Sequence, residues 1–418
     1  MGDKKNTLMY RLFGFAILTV LFFNCNRKMA PMAEEARLRG KADKLAHEYI
    51  ITDGHVDLPY RLRIQNFRLE REYIGIPVET NDGDFDYVRA KKGGLDAPFM
   101  SIFIPASYQD GRAKLLADSL INMVRSIAEA HPDKFAMAVS PAEVEANFRK
   151  GLISLPMGME NGAPIEGDLR NVAYFYQRGI RYITLTHSKD NHICDSSYDT
   201  THTWNGLSPF GREVVQEMNR VGIMVDVSHI SDSAFWQVME ITKAPCIASH
   251  SSFRKYTPGF ERNMSDDMIK RLAENGGVIQ INFGTDFLDG TMSKQNDQMR
   301  EELNALLKKE GLKDSDSDAQ PIIQQFAKDH PTLYADVQTV ANHIDHVVEL
   351  AGVGHVGFGS DFDGVGDSLP TGLKDVSQYP NLIYELLKRG YSEEDIGKMC
   401  YKNVWRVWKE VERVAAEM

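Results

Sequence analysis

Short apolar, β-branched runs recur along this chain with polar-faced helical patterns between most of them, and this alternation limits the possible folds more than any other feature. The runs are Tyr49 to Thr52, Phe99 to Ile104, Leu152 to Pro156, Tyr182 to Thr186, Ile223 to Val227, Cys246 to Ser249, Val278 to Asn282 and Val356 to Gly359. Helical stretches such as Ala113 to Ala130, Pro209 to Val221, Asp266 to Asn275 and Val337 to Ala351 lie between them. Strands and helices in this order predict a parallel sheet with right-handed crossovers, and eight such units can close into an α/β barrel, the (β/α)8 TIM type. No Gly-x-Gly-x-x-Gly follows the first run, so a dinucleotide-binding open sheet has little support. A polar insertion, about 285–334, precedes the eighth run, with a helix expected over Gln298 to Lys309. It reads equally as a lid or subunit contact and as a solvated excursion. Further helices are expected over Tyr379 to Arg389 and Glu393 to Arg413, covering the barrel.

The chain's 418 residues suit one elaborated barrel, expected over 38–418. Its formal net charge of -11 argues against nucleic acid, because phosphate binding needs clustered Lys and Arg. At the N-terminus, Lys4, Lys5 and Arg11 precede an apolar run from Leu12 to Phe23, the order and length of a secretory signal. Cys25 follows at once and looks like the lipid-attachment site of a bacterial lipoprotein, which would leave residues 26–37 as a tether. Asn24 is bulkier than the residue usual there, so an uncleaved anchor and a plain signal peptide are the alternatives. Each of these readings places the protein outside the cytoplasm, periplasmic or on the membrane. Cys194, Cys246 and Cys400 share no metal-type spacing and are assigned no chemistry.

In a barrel of this kind the active site lies at the C-terminal ends of the strands. The first run leads into Asp53-Gly54-His55-Val56-Asp57, the third into Gly158-Met159-Glu160-Asn161-Gly162 and the fourth into Thr186-His187-Ser188. The fifth ends at Asp226-Val227-Ser228-His229, the sixth at Ser249-His250-Ser251-Ser252 and the eighth at Gly359-Ser360-Asp361-Phe362-Asp363-Gly364. Any one histidine here would be unremarkable, but strand end after strand end presenting His, Asp or Glu predicts a metal site. His55 and Asp57 are two apart in an extended chain, so both can grip one ion. Imidazole with carboxylate suits zinc, with iron or manganese as the alternatives, and Glu160, with two oxygens, is the candidate bridge between two ions. His192, His202, His343, His346 and His355 read as structural or surface residues.

Together these blocks, with Leu185-Thr186-His187 and Arg262-Asn263, resemble the membrane dipeptidase (renal dipeptidase) family of amidohydrolase-like, metal-dependent barrels, from about Tyr49 to Val411. The resemblance implies hydrolysis of dipeptides with two Zn²⁺ per chain. His55 and Asp57 would hold one ion, His229 and His250 the other, and Glu160 would bridge them. It further implies that His187 contacts substrate where negative charge develops and that Arg262 reads the free carboxylate. Asp361 is placed to take a proton from the metal-bound water, whose hydroxide would attack the carbonyl, and to pass that proton to the leaving amine. A homodimer and tolerance of a C-terminal D-residue are also implied. The sequence departs from the wider barrel group in having no lysine at the bridging strand end, and from animal members in lacking a cysteine at Ser188 or Lys189. The rival readings are a related binuclear amide or lactam hydrolase and a non-catalytic metal- or peptide-binding lipoprotein.

Overall fold

The structure, a computed structural model, describes residues 33–64 and 78–418. The apolar run Leu12 to Phe23 and Cys25 lie outside them. Residues 33–37, the end of the segment read as a tether, form the first turns of a helix over 33–48. No helix among the described residues is long and apolar enough to cross a membrane.

Eight parallel strands close a barrel in chain order: β1 Ile51–Val56, β2 Leu95–Phe103, β3 Met157–Glu160, β4 Ile180–Thr184, β5 Met224–Asp226, β6 Ile247–Ser251, β7 Val278–Ile281 and β8 Val356–Phe358. β1 pairs with β2 on one side and β8 on the other, which closes the ring. The expected (β/α)8 architecture is therefore the one formed. Helices whose capping signals are strongest also match: Pro209–Val221 begins on the Ser208 side chain, carries proline in its first turn and stops at left-handed Gly222.

The third strand differs from the expectation. Ile153–Leu155, within the run read from Leu152 to Pro156, pairs instead with Phe135–Met137 in a separate two-stranded sheet. The barrel strand is the next segment, Met157–Glu160, which has no β-branched residue and so carries little strand signal. Gly158 is there for space, since a Cβ would lie 1.9 Å from the Tyr182 ring. β1 also runs past Thr52 to Val56, because polar Asp53 and His55 are buried there as inward-facing residues. Within the insertion, helices Gly290–Lys309 and Gln320–Asp329 form. The C-terminal helix predicted from Glu393 is broken by a π turn at Lys398–Lys402 before Asn403–Glu417.

That last helix closes the end of the barrel opposite the expected site. Val404, Trp405, Val407, Trp408 and Val411 pack against Phe99, Tyr182, Met224, Ile247 and Val278 from the strands. Trp408 is fully buried, with its ring 5.2 Å from that of Phe99. Burying each such side chain contributes about 1.5–3 kcal/mol. A filled floor leaves the C-terminal strand ends as the open face.

Candidate metal centre

Strand direction brings His55, Asp57, Glu160, His187, His229, His250 and Asp361 to that face. Glu160, at the tip of β3, is the hub. Its Oε2 lies 3.4 Å from His55 Nε2, whereas its Oε1 lies 3.0 Å from His229 Nε2, 3.2 Å from His250 Nε2 and 3.7 Å from His187 Nε2. Asp57 Oδ2 is 3.4 Å from His55 Nε2 on the other side. One carboxylate oxygen thus faces His55, and the other faces His187, His229 and His250. Ligand atoms of His55, Glu160 and His250, of Glu160, His187 and His229, and of His55, Asp57 and Asp361 form three groups compact enough to hold an ion. Gly364 permits this crowding, since a Cβ there would lie within 2.3 Å of both Asp57 and Asp361.

Hydrogen bonds behind two of the rings, His55 and His250, decide which of their nitrogens is free. Tyr182 donates its hydroxyl proton to Gly54 O at 3.0 Å and stands 2.9 Å from His55 Nδ1. Its oxygen can then only accept, so Nδ1 carries the proton and Nε2 presents its lone pair to the carboxylates. Ser249 repeats the device. Its hydroxyl donates to Asp226 at 2.6 Å and accepts from His250 Nδ1 at 2.8 Å. His250 Nε2 therefore also faces the centre with a lone pair, 2.8 Å from His229 Nε2. Burial, with the charges of Arg262 and neighbouring imidazoles, holds His229 and His250 well below the usual histidine range, so both rings are neutral and able to serve as ligands. Burial alone would raise Glu160, but the surrounding imidazoles, led by His55 and His187, hold its carboxyl well below the usual range. Converging lone pairs around a carboxylate need a cation among them. His55 Nε2 and Asp57 Oδ1 are buried with no hydrogen-bond partner, as expected of ligands. The residues fit a metal pair.

Asp361 sits at the edge of this cluster, held by a hydrogen bond from Asn282 at 2.8 Å. Burial, then the charges of Asp57 and Glu160 against the pull of His55, pushes its carboxyl up to about 7. His229 and Asp361 both have positive φ, +67° and +63°, the left-handed region that non-glycine residues enter infrequently, Asp and His more readily than most. Arg262 is 2% exposed beside the cluster; it donates to Ser251 Oγ and His250 O, both at 2.7 Å, while its Nε has no partner. A cavity of about 590 Å³ opens over Asp57, Glu160, His187, His229 and Asp361, with Tyr60, Phe103, Tyr198, Asp286 and Phe287 among its walls.

Tyr182, Asn282 and the Asp226–Ser249 pair carry no role in the sequence reading. β7 offers a neutral amide at its end, Asn282, and the structure shows it donating to Asp361 at 2.8 Å. Asp53 was quoted without a role; its carboxylate accepts from the backbone N–H of His55 at 2.8 Å and of Ser360 at 3.0 Å, and from the Tyr379 hydroxyl, tying β1 to β8. The histidines read as structural include His343, which bridges Phe253 N and Leu288 O, and His355, bonded to Gly277 O. The three cysteines among the described residues are buried free thiols.

Residues 39–418 match the family described as membrane dipeptidase, peptidase family M19. The chain is 32% identical to an uncharacterized dipeptidase of Schizosaccharomyces pombe over 385 residues, 89% of this chain and 83% of that one. It is also 32% identical to dipeptidase 3 of Mus musculus, over 91% of this chain and 68% of that one. Among solved structures it resembles the probable dipeptidase PvdM of Pseudomonas aeruginosa, with a TM-score of 0.76 and 25% identity, covering 91% of this chain and 100% of that one. The chain belongs to the membrane dipeptidase family of metallopeptidases and is a metallo-dipeptidase.

Proposed function

We propose that this protein hydrolyses dipeptides with two zinc ions, one held by His55 and Asp57, the other by His229 and His250, and both by Glu160. The observation that carries this reading is the division of Glu160, one oxygen toward His55 and the other toward His229 and His250. When bound, the ions supply a water activated near neutral pH and polarise the scissile carbonyl.

The chain's own residues supply the rest. Asp361, with its carboxyl raised to about 7, can hold a proton taken from the water and release it to the leaving amine at neutral pH. His187, half-buried at the mouth and kept below the usual histidine range by burial, donates as a neutral imidazole to the carbonyl oxygen as negative charge develops. Arg262 has five N–H groups, and the bonds to Ser251 and His250 O leave donors for the substrate carboxylate. Amidating the dipeptide's C-terminus tests this role against Arg262→Ala. Each change alone should cost about 1.5–3 kcal/mol in kcat/KM, and the second should add little to the first. Full additivity would remove Arg262 from carboxylate recognition and turn the reading toward a general amide hydrolase.

The N-terminal sequence supports export and anchoring through lipid on Cys25, and family resemblance supports a homodimer. Cys25→Ala should release the protein from the membrane fraction, and unchanged association would favour an uncleaved helix. A monomer in solution by light scattering would remove the dimer.

A further inference from the structure

The cavity over the metal centre adjoins a second one of about 450 Å³. Tyr198, Asp286 and Phe287 line both, so these three side chains form the passage between them. The far walls come from the loop after β6, at Thr257–Phe260, and from the insertion helix through Gly290, Ser293, Lys294 and Asp297. Aromatic rings run along it, with Tyr198 5.9 Å from Phe260 and Phe260 5.8 Å from Phe287. The Arg262 guanidinium is 5.3 Å from the Phe287 ring, which puts this space on the Arg262 side of the mouth.

Asp286 is the carboxylate of the mouth without an assignment. Asp57 and Glu160 face the histidines, Asp361 is held by Asn282, and Asp363 is paired with Arg61 at 3.0 Å. Among the described residues Asp286 has no hydrogen bond or ion pair. The other charges lining the second cavity, Lys294 and Asp297, are solvent-exposed, and Asp297 already pairs with Arg300 at 3.3 Å. Water screens both, whereas half-buried Asp286 lies against aromatic rings where its field is stronger.

We propose that the second cavity receives the side chain of the substrate's C-terminal residue and selects a basic one, lysine or arginine. This rests on the dipeptidase reading with Arg262 at the C-terminal carboxylate. With the carboxylate there, the passage at Phe287 gives the C-terminal residue's side chain a way into the neighbouring space. Asp286 then meets the cation, while Tyr198, Phe260 and Phe287 cover the aliphatic stem and offer their ring faces to the charge.

The test compares alanyl-alanine, alanyl-lysine, alanyl-arginine and alanyl-glutamate with the zinc-loaded enzyme. Kcat/KM for the lysine and arginine substrates should exceed that for alanyl-alanine by about tenfold, the size of one charge-assisted contact, with alanyl-glutamate the poorest. Asp286→Asn should bring the lysine-to-alanine ratio toward one. Lys294→Glu, at an exposed position that folding does not need, should raise that ratio by adding negative charge to the same space. Cleavage of alanyl-alanine with no preference for basic residues, or a preference that neither variant moves, overturns the subsite assignment alone. Failure to cleave any of the four dipeptides overturns the dipeptidase reading and the subsite with it.

Discussion

Replacing Tyr182 by phenylalanine removes one oxygen and leaves the ring in place against Gly158 and 5.4 Å from Phe99. The lost hydroxyl is the group that accepts the His55 Nδ1 proton at 2.9 Å. In the variant that N–H is a fully buried donor without a partner, which costs about 1–3 kcal/mol. The proton can escape the penalty only by moving to Nε2, and that tautomer offers no lone pair to a cation. Either way the metal-binding state is disfavoured. Loss of a supporting partner behind a histidine ligand typically lowers metal affinity about 10–100-fold, or about 1.4–2.8 kcal/mol, so the two routes agree. The assay is zinc titration of metal-free protein against a competing chelator, with thermal unfolding followed in parallel. Tyr182→Phe should raise the zinc Kd about 10–100-fold and recover most of its kcat once zinc is saturating. A Kd within about twofold of wild type in a folded variant would show that Tyr182 does not set the His55 tautomer.

Three further outcomes follow from other parts of the molecule. Asp361→Asn should keep its metal and lose about 10²-fold or more in kcat, measured at saturating dipeptide; loss of metal along with activity would make Asp361 a ligand and not the proton carrier. Gly158→Ala should lower stability by about 1–3 kcal/mol or more in denaturant unfolding, because the new methyl meets the buried Tyr182 ring and not a flexible tip; a neutral effect would mean the barrel wall can move there. Asp96, buried at the start of β2, has its carboxyl raised by burial from 3.8 to about 7, against the pull of Lys91. The native group keeps its proton where the unfolded one has lost it, so the unfolded state binds fewer protons and stability falls as pH rises from about 4 to about 7. Asp96→Asn should remove that fall and gain up to a few kcal/mol over wild type at pH 8 relative to pH 4, and an equal difference at both pH values would contradict it.

The barrel was legible because its signals are local. Most strands are short β-branched runs, and helices such as Pro209–Val221 carry their own caps. Where a strand takes its residues from tertiary needs, the sequence misleads: Met157–Glu160 is shaped by the Tyr182 ring and by the position of Glu160, so the more β-like Ile153–Leu155 drew the assignment. The candidate ligands were readable because His, Asp and Glu at strand ends are the residue types of metal chemistry, and the structure brings them together. Their supports were not. Tyr182, Asn282 and Ser249 belong to residue types found throughout any core, and only the distances to His55, Asp361 and His250 give them meaning. The insertion was recognised and read equally as a lid or subunit contact and as a solvated excursion, but its part in walling a cavity beside the mouth depends on how the Gly290–Lys309 helix lies over the β6 loop.

The most direct test of the central claim, that Glu160 joins two ions, is metal content by elemental analysis of zinc-saturated, active protein beside Glu160→Gln. Wild type should hold about two zinc ions per chain, and the variant should weaken both sites together, since a neutral amide bridges cations poorly. Active protein with one ion per chain in excess zinc, or a variant that loses one ion and keeps the other at full affinity, would contradict it.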